Sequence, residues 1–241
     1  MSERQPIFNV PSIVAWLIGA FFAVHLVRNL LPDDTNAWLT AALAVIPARL
    51  SGVAGQLPGG QVASLTQFVT HLFVHGDLTH LLINSGWLLA FGTTIARRTQ
   101  LLHFLVFFLL CGAAGALAYI VSNWGALTLV VGASGAISGL MGAAFRYLFQ
   151  AIAEGDVDGL AGETRFAPLM SVADTLRDRR ILLAIAGWTI LNVAMAWGAA
   201  GLTSAAGIAW EAHLGGFYFG LLAYGAFDRP PFVQQHLAQA E

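Results

Sequence analysis

No lysine occurs anywhere in this chain, and charged residues fill only 10% of its 241 positions. A soluble domain carries about 25%, so a globular protein with a simple anchor is excluded. Eleven basic and thirteen acidic residues leave a formal charge of −2, which excludes the bulk basic field that a nucleic-acid partner requires. A single cysteine, Cys111, sits in an apolar run, so no intrachain disulfide can form, and it reads as a small packing residue. Exclusive use of arginine reads as a coding bias. There is no internal repeat and no low-complexity tract. What is present is apolar: 57% of residues are hydrophobic, and mean hydropathy is +0.71. The composition is that of a polytopic, all-α membrane protein.

A membrane-crossing helix needs roughly 20 apolar residues. Six stretches qualify: 12–31, 77–96, 101–121, 132–149, 181–198 and 208–227. The first follows Arg4 as a signal peptide would, but its length and the lack of an A-x-A site favour a span. Residues 32–76 form a long, semi-apolar connection, expected to lie in the interface or to re-enter the bilayer. Residues 150–180 hold ten charges and read as a polar loop, and 228–241 as a tail. The whole chain, 1–241, reads as one membrane domain.

Arginine sets the orientation. With the N-terminus in the cytoplasm, Arg4, Arg97, Arg98, Arg146, Arg165, Arg177, Arg179, Arg180 and Arg229 fall inside, and only Arg28 and Arg49 fall outside. That bias satisfies the positive-inside rule. Both termini are then cytoplasmic, as are the loop and the tail, and a bacterial inner membrane is the expected location. His25 and Arg28 are expected to snorkel at the outer end of the first helix.

Polar groups inside apolar spans are expensive and therefore suspect. They gather in "HLFVHGDLTHLLIN" (71–84), "GASG" (132–135) and "EAHLGGFYFG" (211–220). At about 1.5 Å per residue, Ser134 lies roughly 18 Å above Arg146, His80 about 26 Å above Arg97 and His213 about 24 Å above Arg229. Three spans thus bring polar groups to a similar depth. Gly135 and Gly139 form one G-x-x-x-G pair and Gly216 and Gly220 another, a spacing that lets helix backbones approach closely. Close packing of the fourth and sixth helices would bring Ser134 toward His213. A serine beside a histidine is an activated nucleophile. His80 and Asn84, four apart, share a helix face and can donate to a developing oxyanion. The helix start at Ser134 adds free N–H groups and a positive dipole end. No carboxylate is suitably placed, so the reading is a Ser-His dyad. Glu211, two residues from His213, points away from it on a helix.

These three motifs, in order and in register, resemble the rhomboid intramembrane serine proteases over about 65–227. The resemblance implies a six-transmembrane-helix bundle with a membrane-associated loop between helices 1 and 2. It implies cleavage of transmembrane segments of other membrane proteins through an acyl-enzyme, favouring a small residue in a helix that unwinds easily. It assigns Ser134 as nucleophile and His213 as general base. It places His80, Asn84 and the Ser134 backbone N–H in an oxyanion hole, and makes His71 and His75 structural. The chain departs from the family pattern in two places. No Trp-Arg pair occurs in 32–76, and Ser138 stands where an aromatic often packs on the base.

Two other classes compete. One is a catalytically inactive relative that binds membrane proteins, against which the intact Ser134 and His213 argue. The other is a transporter or metal-binding membrane protein. A transporter would want charges at the midplane, and none is seen. His71, His75, His80 and Asp77 approach a metal pattern, but loop capping is the preferred reading, with no metal and no cofactor. The expected partners are transmembrane substrates and the lipid bilayer, not nucleic acid. The sequence specifies neither the natural substrate nor an oligomeric state. Trp16, Trp38, Trp87, Trp188, Trp197 and Trp210 read as packing or interface anchors.

Overall fold

The computed structural model describes residues 10–153, 168–202 and 209–228. Arg4, Arg165, Arg229, the centre of the polar loop (154–167), the tail from 229 and the side chain of Trp197 lie outside the described residues, as does the expected start of the last span at 208.

Among the described residues the architecture is all-α. In chain order the helices are α1 (Ser12–Asn29), α2 (Asp33–Leu43), α3 (Gly60–Thr70), α4 (Leu78–Trp87), α5 (Thr93–Arg98), α6 (Leu101–Ser122), α7 (Ser134–Ala153), α8 (Val172–Arg177), α9 (Arg179–Leu202) and α10 (Trp210–Ala223). One extended contact is seen, a bridge in which Val45 and Val130 exchange N–H to carbonyl bonds of 2.9 Å. Helices cover each of the six expected stretches, with ends moved by a few residues. α1 and α6 are by length and composition able to cross a membrane. The stretch 78–98 is interrupted by a π-helical turn at Leu88–Gly92, between α4 and α5.

Local chemistry sets the helix starts. Asp77 caps α4 by accepting from the backbone N–H of His80 at 2.8 Å, and Ser171 caps α8 through the N–H of Asp174 at 3.0 Å. In α1 the buried positions Val14, Leu17, Phe21 and Arg28 fall on one helical stripe. The opposite surface is apolar and exposed, as at Trp16, Leu26 and Leu30. Leu65, Leu127 and Ile190 are likewise exposed. So much outward-facing apolar surface suits contact with lipid rather than water.

The centre is a three-helix unit of α6, α7 and α10. A methyl group built on Gly216 would collide with the carbonyl oxygen of Gly135, and one on Gly220 with that of Gly139. Gly115 of α6 approaches the Ala212 carbonyl in the same way, with 2.6 Å to a would-be Cβ. Glycine is used here because nothing larger fits between the backbones. Around this unit lies an apolar core that includes Leu72, Phe104, Phe107, Phe108, Leu140, Tyr147 and Tyr224.

The 32–76 connection is ordered by two arginines, and here the structure corrects the sequence reading. Arg28 does not snorkel: it is 6% exposed. Its guanidinium donates to the His75 carbonyl at 2.9 Å, to Asn36 Oδ1 at 3.1 Å and to Thr40 Oγ1 at 2.5 Å. Arg49 is also buried, and donates to the carbonyls of Ala41 and Ala44, each at 2.5 Å, and of Pro58 at 3.0 Å. Each arginine satisfies orphan acceptors where the chain turns, a role suited to the five-donor guanidinium fork. Arg49 thus holds a connection that lacks the Trp-Arg pair.

At the far end of α7 from Ser134, Arg98 pairs with both Asp228 oxygens, at 2.9 and 3.0 Å, and lies 4.7 Å over the Tyr147 ring. Arg146 donates to the Met170 carbonyl at 2.8 and 3.1 Å and so ties α7 to the segment entering α8.

Candidate active site

Ser134 opens α7, and the chain reaches it through Gly132, whose φ of +114° is open to glycine and strained for other residues. The Gly132 N–H donates to the His71 carbonyl at 2.9 Å. This sharp entry presents Ser134 and the first N–H groups of α7, which have no acceptor within their own helix.

His213 lies in the first turn of α10. Its Nε2 is 2.8 Å from Ser134 Oγ. The glycine contacts explain this register: Gly216, three residues along the same face, rests on Gly135, next to Ser134. Packing of two backbones thereby sets a distance between two side chains.

His80 and Asn84 face the same place from α4. A Cβ at Gly132 would stand 2.7 Å from His80 Nε2 and 3.9 Å from Asn84 Nδ2, so the imidazole and the amide both border the residue two before the serine. Asn84 Nδ2 donates to the His80 carbonyl at 2.9 Å, while its buried Oδ1 has no partner among the described residues. His75 supports His80 from behind, with ring centroids 5.2 Å apart, and packs on Phe21 at 5.0 Å. His71 engages the Gln67 carbonyl through Nδ1 at 2.6 Å. The sequence-derived positions therefore converge at one end of the bundle, where α4, α7 and α10 all begin. Glu211 stands apart, accepting from Asn123 Nδ2 at 3.0 Å. Ser138 is buried one turn below Ser134.

One residue at this site escapes the sequence reading. Asn192 of α9 is fully buried, and its Oδ1 lies 2.9 Å from His213 Nδ1. The available signal is an amide in the middle of the apolar run "WTILNVAMAW", a costly placement that asks for a partner. Spacing alone does not reveal which partner.

Fold and site together define an all-α bundle with a serine–histidine pair clamped between glycine-packed helices. A family model, the Rhomboid domain, matches residues 62–229. This chain belongs to the rhomboid family, a family of integral membrane proteins. No curated protein matches it in sequence.

Proposed function

We propose that this protein is an intramembrane serine endopeptidase that cleaves transmembrane segments of other membrane proteins. The observation that carries the reading is the 2.8 Å approach of His213 Nε2 to Ser134 Oγ, at a helix start bordered by His80 and Asn84.

In this reading Ser134 Oγ attacks the scissile carbonyl carbon while His213 Nε2 takes the hydroxyl proton. The oxyanion of the tetrahedral intermediate is met by the Ser134 N–H, His80 and Asn84, and by the positive end of the α7 dipole. His213 returns the proton to the leaving amine, and an acyl-enzyme on Ser134 remains. Water, deprotonated by the same imidazole, then adds to the acyl carbon, and the imidazolium returns that proton to Ser134 Oγ as the ester bond breaks and the new acid leaves. A peptide bond must leave its own helix before Ser134 can reach its carbonyl, so substrates with easily unwound segments are favoured.

The membrane arrangement belongs to the same proposal. Six spans, with 78–98 counted as one, place both termini in the cytoplasm of a bacterial cell membrane, by the arginine bias. The site then lies toward the outer leaflet, and 32–76 is the membrane-associated loop.

The test is direct. Purified protein in detergent should react with a fluorophosphonate at Ser134 and should cut a single-span substrate. Ser134→Ala and His213→Ala should do neither, and the double variant should be no worse than either alone, because the two groups act as a unit. Cleavage at the wild-type rate by either single variant, or a wild type that fails to label, sinks the reading.

A further inference from the structure

The amide of Asn192 makes two contacts, and together they determine a proton. Its Nδ2 donates to the Trp188 carbonyl at 2.9 Å, and its Oδ1 faces His213 Nδ1 at 2.9 Å. A backbone carbonyl only accepts, so the end of the amide turned to Trp188 is the NH2 group. The end turned to His213 is then the oxygen, which also only accepts. His213 Nδ1 therefore carries a hydrogen. In a neutral imidazole that leaves the lone pair on Nε2, the nitrogen 2.8 Å from Ser134 Oγ. The chain runs one way: Ser134 donates to His213, His213 to Asn192, and Asn192 to Trp188.

We propose that Asn192 is the positioning residue of the base, holding His213 in the Nδ1–H tautomer and fixing its ring plane toward Ser134. The proposal rests on the proteolytic reading of Ser134 and His213. It gives the site a third member supplied by α9, a helix that carries neither reacting group. The logic is that of a triad, in which the outer member orients the imidazole and stabilises the cation that forms as it takes a proton. Here the outer member is a neutral amide, so the site holds no buried carboxylate that would need solvation. The nearby carboxylate, Glu211, is engaged by Asn123 instead.

α9 is braced to present this amide. Thr189 Oγ1 and Tyr218 Oη are 2.8 Å apart, and the Trp188 and Phe217 rings pack with centroids 6.1 Å apart. These contacts tie α9 to α10 within one turn of Asn192. Asn192 lies four residues beyond Trp188, so its own helix supplies the acceptor that orients the amide.

The experiment uses the full chain, 15N-labelled at histidine, in detergent micelles. Wild-type His213 should show the Nδ1–H tautomer. In Asn192→Ala, and in the nearly isosteric Asn192→Leu, the Nε2–H form should become populated. Cleavage of a single-span substrate by these variants should fall in kcat by on the order of 10²-fold, below the roughly 10⁴-fold that a wrong tautomer costs in a carboxylate triad. KM should stay unchanged. Asn192→Asp keeps an acceptor toward Nδ1 and should recover most of kcat. Asp228→Ala breaks the Arg98 ion pair at the far end of α7 from Ser134 and should lower thermal stability while leaving kcat and the tautomer alone. An unchanged tautomer in both Asn192→Ala and Asn192→Leu overturns the proposal, as does a wild-type kcat in either. The tautomer is read without turnover. A wild type that fails to label at Ser134 therefore removes the protease reading, while the Asn192 contact is still decided by the spectrum.

Discussion

Gly216 of α10 sits against the carbonyl oxygen of Gly135 so closely that the place of a methyl group is already taken. The obstacle is backbone, not a flexible side chain, so it cannot move aside alone. Gly216→Ala must separate α7 from α10, and with them Ser134 from His213. Overpacking typically costs about 1–3 kcal/mol, and the 2.8 Å contact of the pair should lengthen. The expected outcome is a lower melting temperature together with loss of fluorophosphonate labelling. Gly187→Ala is the control: nothing lies within 4 Å of its would-be Cβ, so it should melt no lower and label normally.

Asn84→Ala should slow cleavage without ending it. One oxyanion donor is worth on the order of 10²–10³ in kcat, and His80 and the α7 N–H groups remain. His80→Ala should cost more, because the His80 ring also packs on His75. Wild-type kcat in Asn84→Ala across several substrates would remove Asn84 from the oxyanion hole.

Arg49→Gln should loosen the 32–76 connection while leaving the three-helix unit intact. It strands carbonyls at Ala41, Ala44 and Pro58, and hydrogen bonds to charged groups contribute about 1.5–3 kcal/mol each. Limited proteolysis should then cut within 44–60 faster than it does in the wild type. An unaltered digestion pattern would show that the loop is held by something else.

Asp228→Ala should destabilise the chain without touching the chemistry. Removing one partner of a buried ion pair costs about 3–5 kcal/mol. Arg98 is 4% exposed and keeps its charge. Arg98→Met combined with Asp228→Leu should recover part of the loss, and thermal melts of the three variants decide it.

Glu211→Gln should cleave within a few-fold of wild type. The amide oxygen can still accept from Asn123 Nδ2, the contact seen at 3.0 Å. A loss as deep as that of His213→Ala, in folded protein, would make Glu211 the partner of the base.

The helices and the convergence of Ser134, His213, His80 and Asn84 are legible in sequence for one physical reason. Polar groups in apolar runs stand out, and helical spacing says which of them share a face. Gly135, Gly139, Gly216 and Gly220 are legible because a repeat of four leaves one signature in sequence and one groove in space. Asn192 is not legible, because its contact with His213 depends on how α9 is rotated against α10, and a lone asparagine reads equally as bonded to its own helix. It is bonded there too, at Trp188. The departure at Ser138 leaves the orientation of His213 unexplained in sequence, and the amide from α9 is what the structure offers in its place. Arg28 misleads for a similar reason. Near a helix end a guanidinium is expected to reach for water, but acceptors at Asn36, Thr40 and His75 converge on it from distant positions. The π turn at Leu88–Gly92 is likewise invisible in a continuous apolar run.

The glycine seams of α6, α7 and α10 also bear on how this protein answers to heat. Helices that associate in lipid exchange contacts with acyl chains for contacts with each other, and water is not released. The large heat capacity of unfolding in water comes from newly hydrated apolar surface. Pulling α10 out of its seam within a bilayer hydrates almost none. The equilibrium between docked and undocked α10 should therefore follow a nearly straight line in temperature, with no cold-side decline. A protein built this way keeps Ser134 and His213 together at least as firmly in a chilled membrane as in a warm one.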